Sequence, residues 1–141
     1  MLELLINIKL MMSEPLLSES VAMVESSLRS DAVGDHGEAV GLMQIHPQVI
    51  EDVNRRFLPR GHAPFKVADR LDPKKSMEIF DLYTAGWIGL KGLPDGMSMA
   101  EAKARTWNGG PNGPKHDATL AYWNRVQIVV AKGKKIERRG S

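Results

Sequence analysis

The chain has 141 residues, 43% of them apolar and 26% charged, enough for one domain with a hydrophobic core of its own. It contains no cysteine, which excludes disulfides and thiolate metal sites. A net charge of +2 beside a pI near 9 gives only a weak pull towards an anionic partner, and much of the excess sits at the end of the chain, in Lys132, Lys134, Lys135, Arg138 and Arg139.

Residues 1–12, MLELLINIKLMM, are apolar but short and are interrupted by Glu3. No basic residue precedes the run and no small-residue cleavage site follows it. The segment is therefore expected to be a helix packed on the core and not a signal peptide. No stretch is long enough to span a membrane. After a break at Ser13-Glu14-Pro15, a helix is expected from Pro15 or Ser18, with Leu17, Val21, Val24 and Leu28 as its apolar stripe. Glu25 lies beside Val24 at the margin of that stripe. From Arg29 to Val40 the periodicity vanishes and Gly, Asp and Ser dominate, as in a loop. Gly41 to Ile45 reads equally as a short strand or a buried helical turn. Pro47 suits the first turn of a helix whose Val49, Ile50, Val53 and Phe57 face inward.

Pro59 to Arg70 reads as loop. Asp72-Pro73 is a helix start, and that helix should run through Met77, Phe80, Leu82, Tyr83 and Trp87 to about Leu90. Gly92 to Gly96 is a turn. Ser98-Met99-Ala100-Glu101 is a capping box opening a helix that ends at Trp107, before Asn108-Gly109-Gly110-Pro111. Asp117 is expected to cap a last helix that Gly133 ends. With no repeat and no internal linker, the reading is a single domain over 1–131 followed by a basic tail at 132–141.

Few residues look chemical. A carboxyl such as Glu25, set against apolar side chains, loses solvation and becomes a competent general acid near neutral pH. Taken alone it is more simply an exposed helix glutamate. Gln44, inside an apolar run, must find partners for its amide, so it braces a loop or reaches a ligand. Asn108 sits where glycines let a ligand approach the backbone. Tyr122 and Trp123 are ordinarily core aromatics. Asp31, Asp35 and Glu38 are loop acids, solvated by default. His36, His46, His62 and His116 show no metal-ligand spacing, and there is no phosphate loop, dinucleotide fingerprint or nucleophile elbow.

Three blocks appear in order: Glu25-Ser26, leading to Asp31-Ala32-Val33; Gly41-Leu42-Met43-Gln44-Ile45 with Pro47; and Trp107-Asn108-Gly109-Gly110-Pro111 followed by Thr119 and Tyr122. Together they resemble the soluble lytic transglycosylase family, lysozyme-like enzymes that cleave peptidoglycan glycan strands, over roughly Leu16 to Ala131. The Asn-Gly-Gly-Pro form and the Glu51-Asp52-Val53-Asn54 run look like its bacteriophage or prophage members. The resemblance implies a mainly α, lysozyme-like domain of the goose-lysozyme type, with a small irregular β region and a substrate cleft. It implies cleavage between N-acetylmuramic acid and N-acetylglucosamine to a 1,6-anhydromuramyl product. Glu25 corresponds to the acid/base and Tyr122 to the tyrosine beside it. Gln44 and Asn108 correspond to substrate amides, and Ser26, His46, Trp107 and Gly109 complete the expected substrate-binding set. No cofactor, metal or nucleic acid is implied, and the protein is expected to act as a monomer at the cell wall, carried by a virion or exported by another route. Gly34 stands where many members carry a serine, His46 where Met is common and Trp107 where Tyr is usual. Two alternatives stay open: a hydrolytic muramidase using Asp31, Asp35 or Glu38, of which Glu38 is the best placed in sequence, and a non-catalytic wall-binding or virion module.

Overall fold

In the computed structural model residues 17–140 are described, with side chains through residue 133; the expected helix at 1–12 and the break before Pro15 lie outside the described residues. The first described helix, α1, covers 17–26 and buries Leu17, Val21 and Ala22. It ends where Ser27 and Leu28 take φ values of 55° and 63°, left-handed conformations that no helix continues. Leu28 therefore turns outward and is 48% exposed, so the apolar stripe stops one turn earlier than its spacing predicts.

Part of the expected loop is a hairpin. Strands β1 (Val33–Gly34) and β2 (Ala39–Val40) pair antiparallel, Val33 opposite Val40, across a tight helical turn at Asp35–Gly37. The following Gly41–Ile45 is neither strand nor helix. It is a string of turns that returns to bridge Val40 with Ile45.

Helix α2 (Pro47–Asp52) starts on its proline and loosens into a π-helical turn at Val53–Phe57. Ile50 and Val53 are buried as expected, whereas Val49 and Phe57 are only partly so. The Phe57 ring lies flat against Gly86, where a β-carbon would come within 2.3 Å of it. The 59–70 stretch read as loop ends in a short 3-10 helix, Val67–Leu71. Helix α3 (Pro73–Lys91) is capped by Asp72, whose carboxylate accepts from the Lys75 N–H at 3.0 Å.

Helix α4 (Met99–Gly109) is capped by Ser98, but Glu101 does not close the box; its carboxylate turns to Arg105 at 2.7 Å. The helix runs two residues past Trp107 and ends on Gly110 at φ 80°. Asp117 begins a 3-10 turn, Asp117–Thr119, and makes no side-chain cap. The last helix, α5 (Leu120–Gly140), starts after it and passes through Gly133, the expected stop, because one glycine costs a helix interior only about 1 kcal/mol. Helix α3 is the central element. Its Ile79, Phe80 and Tyr83 meet Val21, Met43, Ile45, Val53, Ala104, Tyr122 and Val126 in one core. No described helix is long and apolar enough to cross a membrane.

Candidate active site

Glu25 lies on the last turn of α1, partly buried. Burial pushes its carboxyl up to about 7; the Arg125 guanidinium on α5 opposes this, and the negative charge of Asp35, in the hairpin turn, adds to it. Tyr122, one turn before Arg125, is 3% exposed, and its hydroxyl has no hydrogen-bond partner among the described residues. Burial, then the charge of Glu25, push the phenol well above its usual range, while Arg125 opposes them. The Arg125 guanidinium stands 5.6 Å from the Tyr122 ring centroid. Three distant stretches thus bring Glu25, Asp35, Tyr122 and Arg125 into one electrostatic group. A buried phenol left without a partner is uncommon.

The Gly41–Ile45 segment is tied to the end of α1, and side chains hold most of its carbonyls. The Ser26 hydroxyl lies 2.7 Å from Leu42 O and 3.0 Å from Ala22 O. The Trp107 indole donates to Met43 O at 3.2 Å, from α4. Gln44, at φ 52°, turns its amide back to donate to Gly41 O at 3.0 Å and Ala32 O at 3.1 Å. Arg70 donates to Ile45 O and Glu38 O, both at 3.0 Å. Ser26, Gln44 and Trp107, expected at the substrate, are therefore committed to shaping the segment. Ser26 is 5% exposed, so its effect on Glu25 is through the position of the helix end.

His46 is exposed and pairs with Asp35, Nε2 to Oδ2 at 2.9 Å, tying the hairpin turn to the start of α2. Asn108 and Gly109 lie exposed at the end of α4, with Gly109 packed so closely on Thr119 that a β-carbon would stand 2.5 Å from its methyl. Among the described residues no three His, Asp or Glu side chains gather where they could hold a metal ion. The sequence reading missed Arg125 and Arg70. Arg125 had a signal, its place one helical turn after Tyr122; Arg70, in an expected loop, had none.

Residues 8–85 match the sequence model of the family described as Transglycosylase SLT domain, more than half of the chain. The chain belongs to this family. The match takes in Glu25 and Gly41–Ile45 and ends before Trp107 and Tyr122. The fold is accordingly lysozyme-like and mainly helical, with one small two-stranded sheet. The chain is also similar to a lysozyme of Magallana gigas, 43% identical over 44 residues, which is 31% of this chain and 30% of the relative. A second similarity is to invertebrate-type lysozyme 3 of Caenorhabditis elegans, 50% identical over 32 residues, 23% of either chain. The matched segments span less than a third of these curated relatives. Among solved structures, a chain in the crystal structure of Aeromonas hydrophila PliI in complex with Meretrix lusoria lysozyme superposes with a TM-score of 0.64 at 25% identity, covering 80% of this chain and 87% of that one.

Proposed function

We propose that this domain cleaves the glycan strands of peptidoglycan as a lytic transglycosylase, with Glu25 as its acid and base. The observation that carries the reading is the Glu25 carboxyl, raised to about 7 by burial and close enough to act electrostatically on the buried, unpartnered Tyr122 hydroxyl. Such a carboxyl is substantially protonated at neutral pH and can protonate the departing glycosidic oxygen as the C1–O bond breaks. The resulting carboxylate then takes the proton of the muramyl C6 hydroxyl, whose oxygen bonds to C1 and closes a 1,6-anhydro ring. Glu25 ends protonated, as it began, and no water is consumed. The family match and the lysozyme similarities support a lysozyme-like enzyme acting on the cell wall.

One observation favours hydrolysis as a second reading. Asp35 is the loop acid whose charge acts on Glu25, and His46 holds it in place. A water-activating or nucleophilic carboxylate is what a hydrolytic muramidase requires, about 6.5–9.5 Å or 5–5.5 Å from the acid respectively. Asp35 replaces Glu38 as the candidate, since the charge of Asp35, and not that of Glu38, is among those that act on Glu25.

The test is digestion of purified peptidoglycan with mass spectrometry of the products. Anhydro ends, with activity surviving Asp35→Asn, are expected; reducing ends together with loss of activity in Asp35→Asn would establish the hydrolase. In either case Glu25→Gln should lower clearance by about 10²–10⁴-fold with the fold intact by circular dichroism. Binding to sacculi without any clearance by the wild type would sink both readings and leave a wall-binding module.

A further inference from the structure

Away from Glu25, the C-terminal end of α3 and the 111–115 loop border a small, shallow depression open to solvent. Trp87, Lys91, Thr106, Pro111, Asn112 and Lys115 line it, and it shares no lining residue with the site above. Trp107 meets α3 at Phe80 and Tyr83, whereas Trp87 is seven residues beyond Phe80, about 10 Å further along the helix.

The charged groups of the depression are both cations, and its other side-chain polar groups, the Thr106 hydroxyl and the Asn112 amide, can donate. Thr106 is 1% exposed and its hydroxyl has no hydrogen-bond partner among the described residues. The Trp87 indole N–H is buried and directed to the Tyr83 hydroxyl, so Trp87 offers the depression its ring and not a free donor. Lys91 and Lys115 add two ammonium groups, neither in an ion pair among the described residues, and no Asp or Glu lines the depression. The frame is rigid. Gly113 sits directly on the Arg105 carbonyl, where a β-carbon would be 2.0 Å away. The Arg105 guanidinium holds the other side of the loop through His116 O at 2.9 Å and Thr119 Oγ1 at 2.8 Å.

We propose that this depression binds a carboxylate carried on a short aliphatic peptide end, with Lys91, Lys115 and the Thr106 hydroxyl as its donors. A fixed set of donors and cations without a competing acid fits an anion, and the ring of Trp87 with Pro111 fits an aliphatic neighbour. On the proposed function above, the source of that carboxylate is the peptide arms of peptidoglycan, so the depression would read the peptide while Glu25 acts on the sugar.

The experiment is a titration followed by NMR amide and indole resonances, which reads binding without turnover and so stands even if the glycan-cleaving reading fails. The probes are N-acetyl-D-alanyl-D-alanine, its C-terminal amide, and inorganic phosphate. The free acid should give saturable shifts of the Trp87 indole and the Thr106 amide, and the C-terminal amide should not. Lys91→Gln with Lys115→Gln should weaken binding by at least about tenfold, and the near-isosteric Thr106→Val by several-fold. Equal shifts by acid and amide, shifts that never saturate, or tighter binding of phosphate than of the peptide acid would each overturn the proposal.

Discussion

Glu25 is set by two opposed influences, burial that keeps its proton on and Arg125 that draws it off. Because a general acid works only while protonated, activity should fall as pH rises through a value near 7. Removing the Arg125 charge strengthens the hold on the proton, so Arg125→Gln should move that alkaline limb to higher pH, and Arg125→Lys should return it towards the wild type. A limb unmoved by Arg125→Gln would show that the guanidinium does not act on Glu25. Tyr122→Phe separates packing from chemistry. The lost hydroxyl has no partner in the free protein, so thermal stability should hold or rise slightly. Peptidoglycan clearance should nevertheless fall if the hydroxyl meets Glu25 or the sugar during the reaction. Glu25 was legible because an acid at a helix end stood ahead of a glycine-led apolar run. Arg125 was passed over although it stands one helical turn after Tyr122, because a basic residue on an exposed helix face ordinarily does nothing but meet water.

The Gly41–Ile45 segment shows why its periodicity was undecidable. It has no regular backbone ladder, and four of its five carbonyls are held by side chains: one by its own Gln44, the others by Ser26, Arg70 and Trp107 from three other parts of the chain. Local pattern reports strands and helices; it does not report a turn held from outside. Gly41 can be no other residue: φ is 87° and a β-carbon would stand 1.9 Å from Arg70 O. Gly41→Ala should cost at least about 2 kcal/mol from strain and displacement, and it should lower activity by moving the segment away from Glu25; an unchanged melting temperature would refute that account. Gly34, where the family often has serine, is related to the same segment. A β-carbon there would stand 2.5 Å from Gln44 Oε1, so a serine would push the Gln44 amide off its carbonyls.

At the scale of the whole molecule, the helices were legible where apolar spacing and capping chemistry agreed, as at Asp72-Pro73 and Ser98, and misjudged where tertiary contacts decided the boundary. Ser27 and Leu28 end α1 by left-handed backbone that no residue type there announces, and α5 continues through Gly133. The same packing that builds the core also burdens it with Glu25. A carboxyl held near 7 rather than its ordinary 4.5 means that the folded state binds its proton more tightly than the unfolded chain does. Its contribution to stability is fully present below pH 4.5 and is lost as pH rises through 7. The full difference would be about 3.5 kcal/mol, roughly 1.4 for each tenfold change in affinity; the side chain is partly open to water, which reduces it to about 2. Glu25→Gln carries no charge at any pH. It should therefore melt at a higher temperature than the wild type at pH 8, by several degrees, and at about the same temperature at pH 4. Thermal unfolding of both proteins at the two pH values is the measurement. A gain of equal size at both would mean that the amide simply packs better, and the strained acid would no longer explain why this helix end is both reactive and costly.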